Sequence, residues 1–379
     1  METRKLYYED SHLQEFSATV IGCEKTEKGW RIVLDATGFY PEGGGQACDL
    51  GALADVRVLD VREQGSQVVH LCDGPLELGS TVTGRIDWAR RFDLMQQHTG
   101  EHILSGLIHE AFGYHNVGFH IGAEMMEVDF DGPITWEELL RLEEKANQAV
   151  WDNMPIACWY PAQEELGKIV YRSKKALAYP VRIVQVPGID TCACCGVHVA
   201  TTGQVGQIKV LSCVKFHQGV RIQMVCGKRA YQYMGCIYEQ NRQVSQLFSA
   251  KPHETGAAAQ RFNQQLNDEK FRAAGLQKRI FETIAAGYAD KGNVVHFEEN
   301  LAPGAVRELT DKIAAVCGGR AAVLSGTDEA GYSICILGED AKELGGRLTQ
   351  TFSGRGGGKP GTFQGSVQAS KAQLTEFFA

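Results

Sequence analysis

The side chains most able to do chemistry lie in two short segments, far apart in the chain. His98-Thr99-Gly100-Glu101-His102 carries two imidazoles at i and i+4. On a helix that spacing puts both on one face, within reach of a single metal ion. A neutral imidazole is a good zinc ligand, although the pair alone also fits a chance spacing on a solvated face. Asp190-Thr191-Cys192-Ala193-Cys194-Cys195-Gly196-Val197-His198 offers three cysteines and a histidine. Cysteine is among the most buried residue types, so these could equally be small core thiols. Together the segments make two half-sites of complementary size. Cys194 with His198 gives a C-x-x-x-H step beside the H-x-x-x-H step, so His98, His102, Cys194 and His198 close a four-ligand zinc set.

Three further stretches could touch a ligand. In Phe39-Tyr40-Pro41-Glu42-Gly43-Gly44-Gly45-Gln46, the run Gly43, Gly44 and Gly45 lets backbone approach a ligand closely or take positive φ; a plain turn would use the same residues. Segment 168–182 holds Lys168, Arg172, Lys174, Lys175 and Arg182 with no acid, beside Tyr171 and Tyr179. Such a patch can track phosphates with steep salt dependence, or be an ordinary solvated face. Gly354-Arg355-Gly356-Gly357-Gly358-Lys359-Pro360 fails as a phosphate loop. Ser353 stands where the first Gly is needed, and Pro360 where Ser or Thr is needed. Arg355 and Lys359 could still hold an RNA phosphate, or lie in a mobile surface loop.

These residues must be positioned by elements that the sequence also announces. Residues 1–86 read as short β-favouring runs with Gly-rich turns, a small β-barrel or sandwich. From Trp88, apolar residues recur at three- and four-residue steps, and 135–152 forms a second helix with Thr135 as N-cap. The predicted organisation is α+β and multi-domain. It comprises a β-barrel domain (1–86), a central α+β domain with the zinc residues (87–235), a helical linker (236–290) and a C-terminal α/β module (291–379). The linker's Phe262, Leu266, Ala273, Leu276 and Ile280 follow a heptad-like spacing, which suits packing on a neighbouring domain or pairing of two chains.

Composition removes other classes. The 379 residues are 44% hydrophobic and 22% charged, ordinary for a folded protein. With 38 basic and 46 acidic side chains the net charge is −8, so any nucleic-acid contact must be local rather than bulk. No run of 18 apolar residues predicts a membrane span. Twelve cysteines without a signal-like start point to cytoplasmic thiols rather than a disulfide framework.

The motifs together resemble the alanyl-tRNA editing proteins (the AlaX family, long form), which are related to the editing domain of alanyl-tRNA synthetase. Gly38 to Gln46 resembles the family's glycine-rich motif. Asp87-Trp88-Ala89-Arg90-Arg91 with Met95 to Ser105 resembles its first zinc motif, and Cys194 to Val199 with Thr202 to Gly206 its second. Gly354 to Pro360 resembles the nucleic-acid-binding C-terminal module of long members. The second motif departs from the usual Cys-Gly-Gly-Thr-His at Cys195 and Val197. The resemblance implies a zinc-containing editing domain in the centre, one zinc ion per chain, and hydrolysis of the ester joining Ser or Gly to alanine tRNA. It also implies catalytic roles for Thr37, as a partner for a serine hydroxyl, and for Gln46 and His120. The linker's heptad-like spacing leaves a homodimer, through the linker or the C-terminal module, as one expected arrangement. Two rivals remain at this point: a zinc peptidase of the inverted H-x-x-E-H type, with Glu101 as base, and a non-catalytic RNA-binding protein with structural zinc.

Overall fold

The computed structural model describes residues 2–173 and 177–379. The chain forms an α+β, multi-domain protein that divides into two compact units, Met1–Arg242 and Gln243–Ala379.

In the first unit, six antiparallel strands close into a barrel in the order Glu15–Thr26, Gly29–Leu34, Gln67–Cys72, Val56–Gln64, Gly51–Leu53 and Thr81–Ile86. Alternation makes this possible: Phe16, Ala18 and Val20 point inward while their neighbours in the strand face outward. Inside the barrel, Ile32, Leu34, Leu53, Val61 and Val68 complete a core of their own. Bulges after Val20 and Val58 supply local curvature.

The helix Trp88–Phe112 begins on Asp87, whose side chain accepts the Arg90 N–H, and ends at Gly113 in the left-handed conformation, φ 72°. Every residue from Leu94 to Ile108 is buried, so this helix is wrapped on all sides. The helix Trp136–Trp151, started by the Thr135–Glu138 capping box, packs on it. So does a four-stranded sheet ordered Ile208–Phe216, Gly219–Cys226, Met126–Phe130 and Asn116–Ile121. A three-stranded sheet, Ala157–Trp159, Ile183–Val186 and Asp190–Ala193, delivers the second cysteine-histidine segment.

Two contacts fix where the central helix meets its neighbours. Arg91 is fully buried; its guanidinium grips both Asp49 oxygens and donates to the carbonyls of Gly38 and Ser11. Asp49 also accepts from the Tyr40 N–H, so the pair staples the helix to the glycine tract. Gly106 brings the helix against the third sheet: a Cβ there would stand 2.5 Å from the Ile189 carbonyl oxygen and 2.8 Å from Asp190 Cβ.

The second unit is built on a five-stranded sheet ordered Gly292–Glu298, Gly318–Thr327, Gly331–Leu337, Thr362–Gln368 and Ser353–Gly357. Its first pair is parallel and the others are antiparallel. Helices Pro303–Cys317, Ala341–Thr351 and Lys371–Phe378 cover it. The 32-residue helix Thr255–Ala286 precedes the sheet and leaves Phe262, Leu266, Phe271, Leu276 and Ile280 exposed. Pro252 marks the helical break, whereas Gly256 lies inside the helix. The tract expected as a loop is different: Ser353–Gly357 is an edge strand, with Arg355 opposite Ser366, and only the residues after it turn. Among the described residues no helix is long and apolar enough to cross a membrane.

Candidate metal centre

His98 and His102 stand one turn apart on the buried face of Trp88–Phe112. Cys194 and His198 lie on the loop that follows strand Asp190–Ala193. The helix and the loop meet, and one donor atom from each of the four residues falls within 4.8 Å of all the others. Gly196 makes this approach possible: a Cβ there would fall 2.2 Å from the His98 ring.

Each imidazole is anchored through Nδ1. His98 Nδ1 lies 2.7 Å from Gln46 Oε1, His102 Nδ1 3.0 Å from Asp190 Oδ2, and His198 Nδ1 3.1 Å from Thr99 Oγ1. An amide oxygen and a carboxylate can only accept, so for His98 and His102 the Nδ1 carries a proton and Nε2 is the nitrogen left to face the other donors. Such outer partners orient ligating histidines and raise their basicity. Asp190 is itself held by a two-pronged Arg172 pair at 2.7 and 2.9 Å, giving a chain Arg172–Asp190–His102.

The donor set fits a cation. His198 Nε2 is buried with no hydrogen-bond partner, an orphan that costs free energy unless something fills it. Zinc bonds of about 2.0–2.3 Å set tetrahedral ligands about 3.4–3.6 Å apart, and Cys194 Sγ lies 3.4 Å from His98 Nε2. Burial raises the Cys194 thiol, but the facing His98 and His102 outweigh it and hold its pKa well below the ordinary value, so the thiolate is favoured. Burial pushes His198 down to about 3, which keeps it neutral. A second cluster, His102, Asp190 and Cys192, is a poorer cage. Its carboxylate is spent on Arg172, and burial pushes the Cys192 thiol up to about 11.

A cavity of about 490 Å³ opens beside the donors, lined among others by Gly44, Gly45, Glu101, Asn116, Phe119 and Cys195. Gly44 and Gly45 have φ of 58° and 81°, a conformation that favours glycine. Gly43 bridges back to Gln46 through paired backbone bonds.

Other residues singled out from the sequence lie elsewhere. Thr37 is buried with its hydroxyl 2.8 Å from His70 Nε2, and it does not line the cavity. His70 Nδ1 donates to the Ile32 carbonyl, so the Thr37 hydroxyl must donate to Nε2. Gln46 touches the site from behind His98. His120 is exposed on strand Asn116–Ile121 and is absent from the lining. Arg172 is not a free phosphate contact, because Asp190 occupies its guanidinium. Lys168 is exposed, and Lys174 and Lys175 lie outside the described residues. Arg355 and Lys359 are exposed in the second unit. Sequence reasoning missed Asp190 and Thr99 as anchors, although both stand within the two motifs. Asn116, in the cavity wall, carried no signal that spacing could reveal.

The peptidase alternative needs a carboxylate among the ligands. The four-donor group supplies Cys194 and His198 instead.

Comparison with known proteins agrees with this arrangement. Residues 3–90 match the family described as tRNA synthetases class II (A), and residues 181–223 match the threonyl and alanyl tRNA synthetase second additional domain. The chain is 34% identical to alanine–tRNA ligase of Ignicoccus hospitalis, over 73% of this chain and 32% of the ligase. It is 30% identical to the Pyrococcus abyssi ligase, over 98% of this chain and 43% of the ligase, so it spans less than half the length of these relatives. With the alanyl-tRNA editing protein Aarsd1 of Mus musculus the identity is 28%, over 94% of this chain and 92% of that protein. In its motifs, its matched segments and this near full-length similarity, the chain resembles the alanyl-tRNA editing proteins and part of the alanine–tRNA ligases.

Proposed function

We propose that this protein is an aminoacyl-tRNA deacylase, hydrolysing the ester of Ser- or Gly-charged alanine tRNA. The observation that carries the reading is the convergence of three oriented imidazoles and a favoured thiolate on one point at the wall of a small cavity. Alanine, serine and glycine differ by one small group, so a synthetic site selects among them poorly, and a second, hydrolytic site is the physical remedy.

His98, His102, Cys194 and His198 hold one zinc ion per chain in this reading. Bound there, zinc supplies Lewis-acid chemistry, polarising an ester oxygen or lowering the pKa of a water. The protein supplies the rest. Gln46, Asp190 and Thr99 keep the imidazoles aligned, so little reorganisation is needed during reaction. Backbone at Gly44 and Gly45 lets the aminoacyl end approach closely, and Phe119 walls the cavity against water. Lys168, Lys174, Lys175, Arg355 and Lys359 are the proposed phosphate contacts for the tRNA, while Arg172 serves the metal centre. The same reading has the protein acting in the cytoplasm and pairing through Thr255–Ala286 or the C-terminal module.

The test is a deacylation assay on alanine tRNA charged with Ser, Gly or Ala, with zinc analysis of the same sample. The reading expects Ser- or Gly-tRNA to decay far faster than Ala-tRNA. Decay of all three at the buffer rate would end it.

A further inference from the structure

The cavity holds a feature that the metal centre does not use. Glu101 is 4% exposed, lies between His98 and His102 on the same helix, and lines the cavity. Its Oε1 is fully engaged, accepting from Ser105 Oγ at 2.5 Å and from Asn116 Nδ2. Among the described residues no donor bonds Oε2, which stands 4.0 Å from His102 Nε2. Asn116, 5% exposed and also in the lining, has its Oδ1 buried without a partner. The described guanidinium in the lining belongs to Arg172, and it is committed to Asp190. Two hydrogen-bonded side chains of the cavity lining thus each keep one oxygen, one of them on a carboxylate, without a donor among the described residues. An oxygen in that condition leaves hydrogen-bonding capacity that a donor-bearing ligand in the cavity can satisfy.

We propose that Glu101 and Asn116 form the subsite for the α-ammonium group of the aminoacyl ester, so that the protein acts on esters of free amino acids and not on N-acylated ones. This inference rests on the deacylase reading above. An ammonium brings a positive charge and three N–H donors to the two free oxygens. Covalent geometry places the ester carbonyl carbon about 2.5 Å from that nitrogen, and Oε2 sits next to the His102 nitrogen that faces the donor group. Anchoring the ammonium at Glu101 therefore presents the scissile carbonyl to the metal centre. An N-acylated aminoacyl group lacks the charge and two of the three N–H donors. Ser105 and Asn116 are positioning residues for the carboxylate.

Calorimetry of the whole 379-residue chain with two non-hydrolysable probes tests this. One is 3′-(L-serylamino)-3′-deoxyadenosine, and the other is its des-amino counterpart. The unsubstituted protein is expected to prefer the ammonium-bearing probe by about 10–100-fold, the range of a hydrogen bond to a charged group. Glu101→Gln keeps an acceptor for Ser105 and Asn116; it should abolish that preference while leaving des-amino affinity and zinc content unchanged. Equal affinity of the unsubstituted protein for both probes overturns the inference without any variant. A preference that persists in Glu101→Gln overturns it as well. Loss of zinc from Glu101→Gln assigns the carboxylate to the metal and overturns it too. Failure of both probes to bind the unsubstituted protein counts against the deacylase reading, and this inference falls with it.

Discussion

At the scale of residues, the candidate metal centre depends as much on what holds the histidines as on the histidines themselves. Asp190 fixes His102 from one side and is fixed by Arg172 from the other. Burial raises the Asp190 carboxyl, but His102 and Arg172 outweigh it and hold its pKa below the usual value, so it stays ionised. Asp190→Asn is expected to weaken zinc affinity by about 10–100-fold, as outer partners of metal ligands do. A chelator-competition titration measures this, and unchanged affinity would contradict the anchoring role. Cys194→Ala or His102→Ala should lower zinc content and deacylation together, and full activity in a zinc-free variant would overturn the metal assignment. The four residues that the structure brings together follow local patterns that a sequence displays, i, i+4 on a helix and C-x-x-x-H. The anchors were not, since each bond joins an Nδ1 to a distant segment, 52 residues away for Gln46 and 88 for Asp190. The Arg172–Asp190 pair was hidden for a related reason: a basic run looks the same whether its arginine is free or paired with an acid 18 residues on.

At the scale of elements, the buried helix Trp88–Phe112 must be held in register for its two histidines to meet the loop. Arg91 and Asp49, both without exposure, provide that register. Arg91→Met leaves the Asp49 carboxylate buried and alone, and should cost about 3–5 kcal/mol in urea unfolding; a shift under 1 kcal/mol, on the order expected of a surface pair, would contradict the stapling role. The barrel makes a separate prediction through His70. Burial lowers its pKa from 6.5 to about 4. As pH falls from 6.5, the unfolded chain takes up this proton before the folded one, so stability drops toward pH 4. At pH 4.5 the loss attributable to His70 is about 2–3 kcal/mol. His70→Gln should lose correspondingly less between pH 7 and 4.5, and an identical loss would contradict the assignment. The helices were legible because their apolar period and the Thr135 cap are written in sequence. Strand Ser353–Gly357 was not, because a glycine-rich edge strand is defined by backbone bonds to Thr362–Gln368 rather than by side chains.

At the scale of the whole molecule, the net charge of −8 leaves tRNA binding to local basic groups. Affinity for alanine tRNA should therefore fall steeply with salt, and a flat salt dependence would remove those contacts. The exposed apolar residues of Thr255–Ala286 carry the pairing proposal. Sedimentation should give a dimer mass that Leu276→Glu, at a residue 50% exposed in the single chain, reduces to a monomer; a monomer at every concentration would contradict it. The sequence marks changes of periodicity at about 87, 236 and 291, whereas compactness depends on contacts that periodicity does not report. The central claim is that one zinc ion is held by three imidazole nitrogens and one thiolate. X-ray absorption at the zinc edge of the purified protein tests it most directly. The account predicts one zinc per chain with a shell of three nitrogens and one sulfur, the sulfur disappearing in Cys194→Ser. A zinc-free protein, or a shell without sulfur, would contradict it.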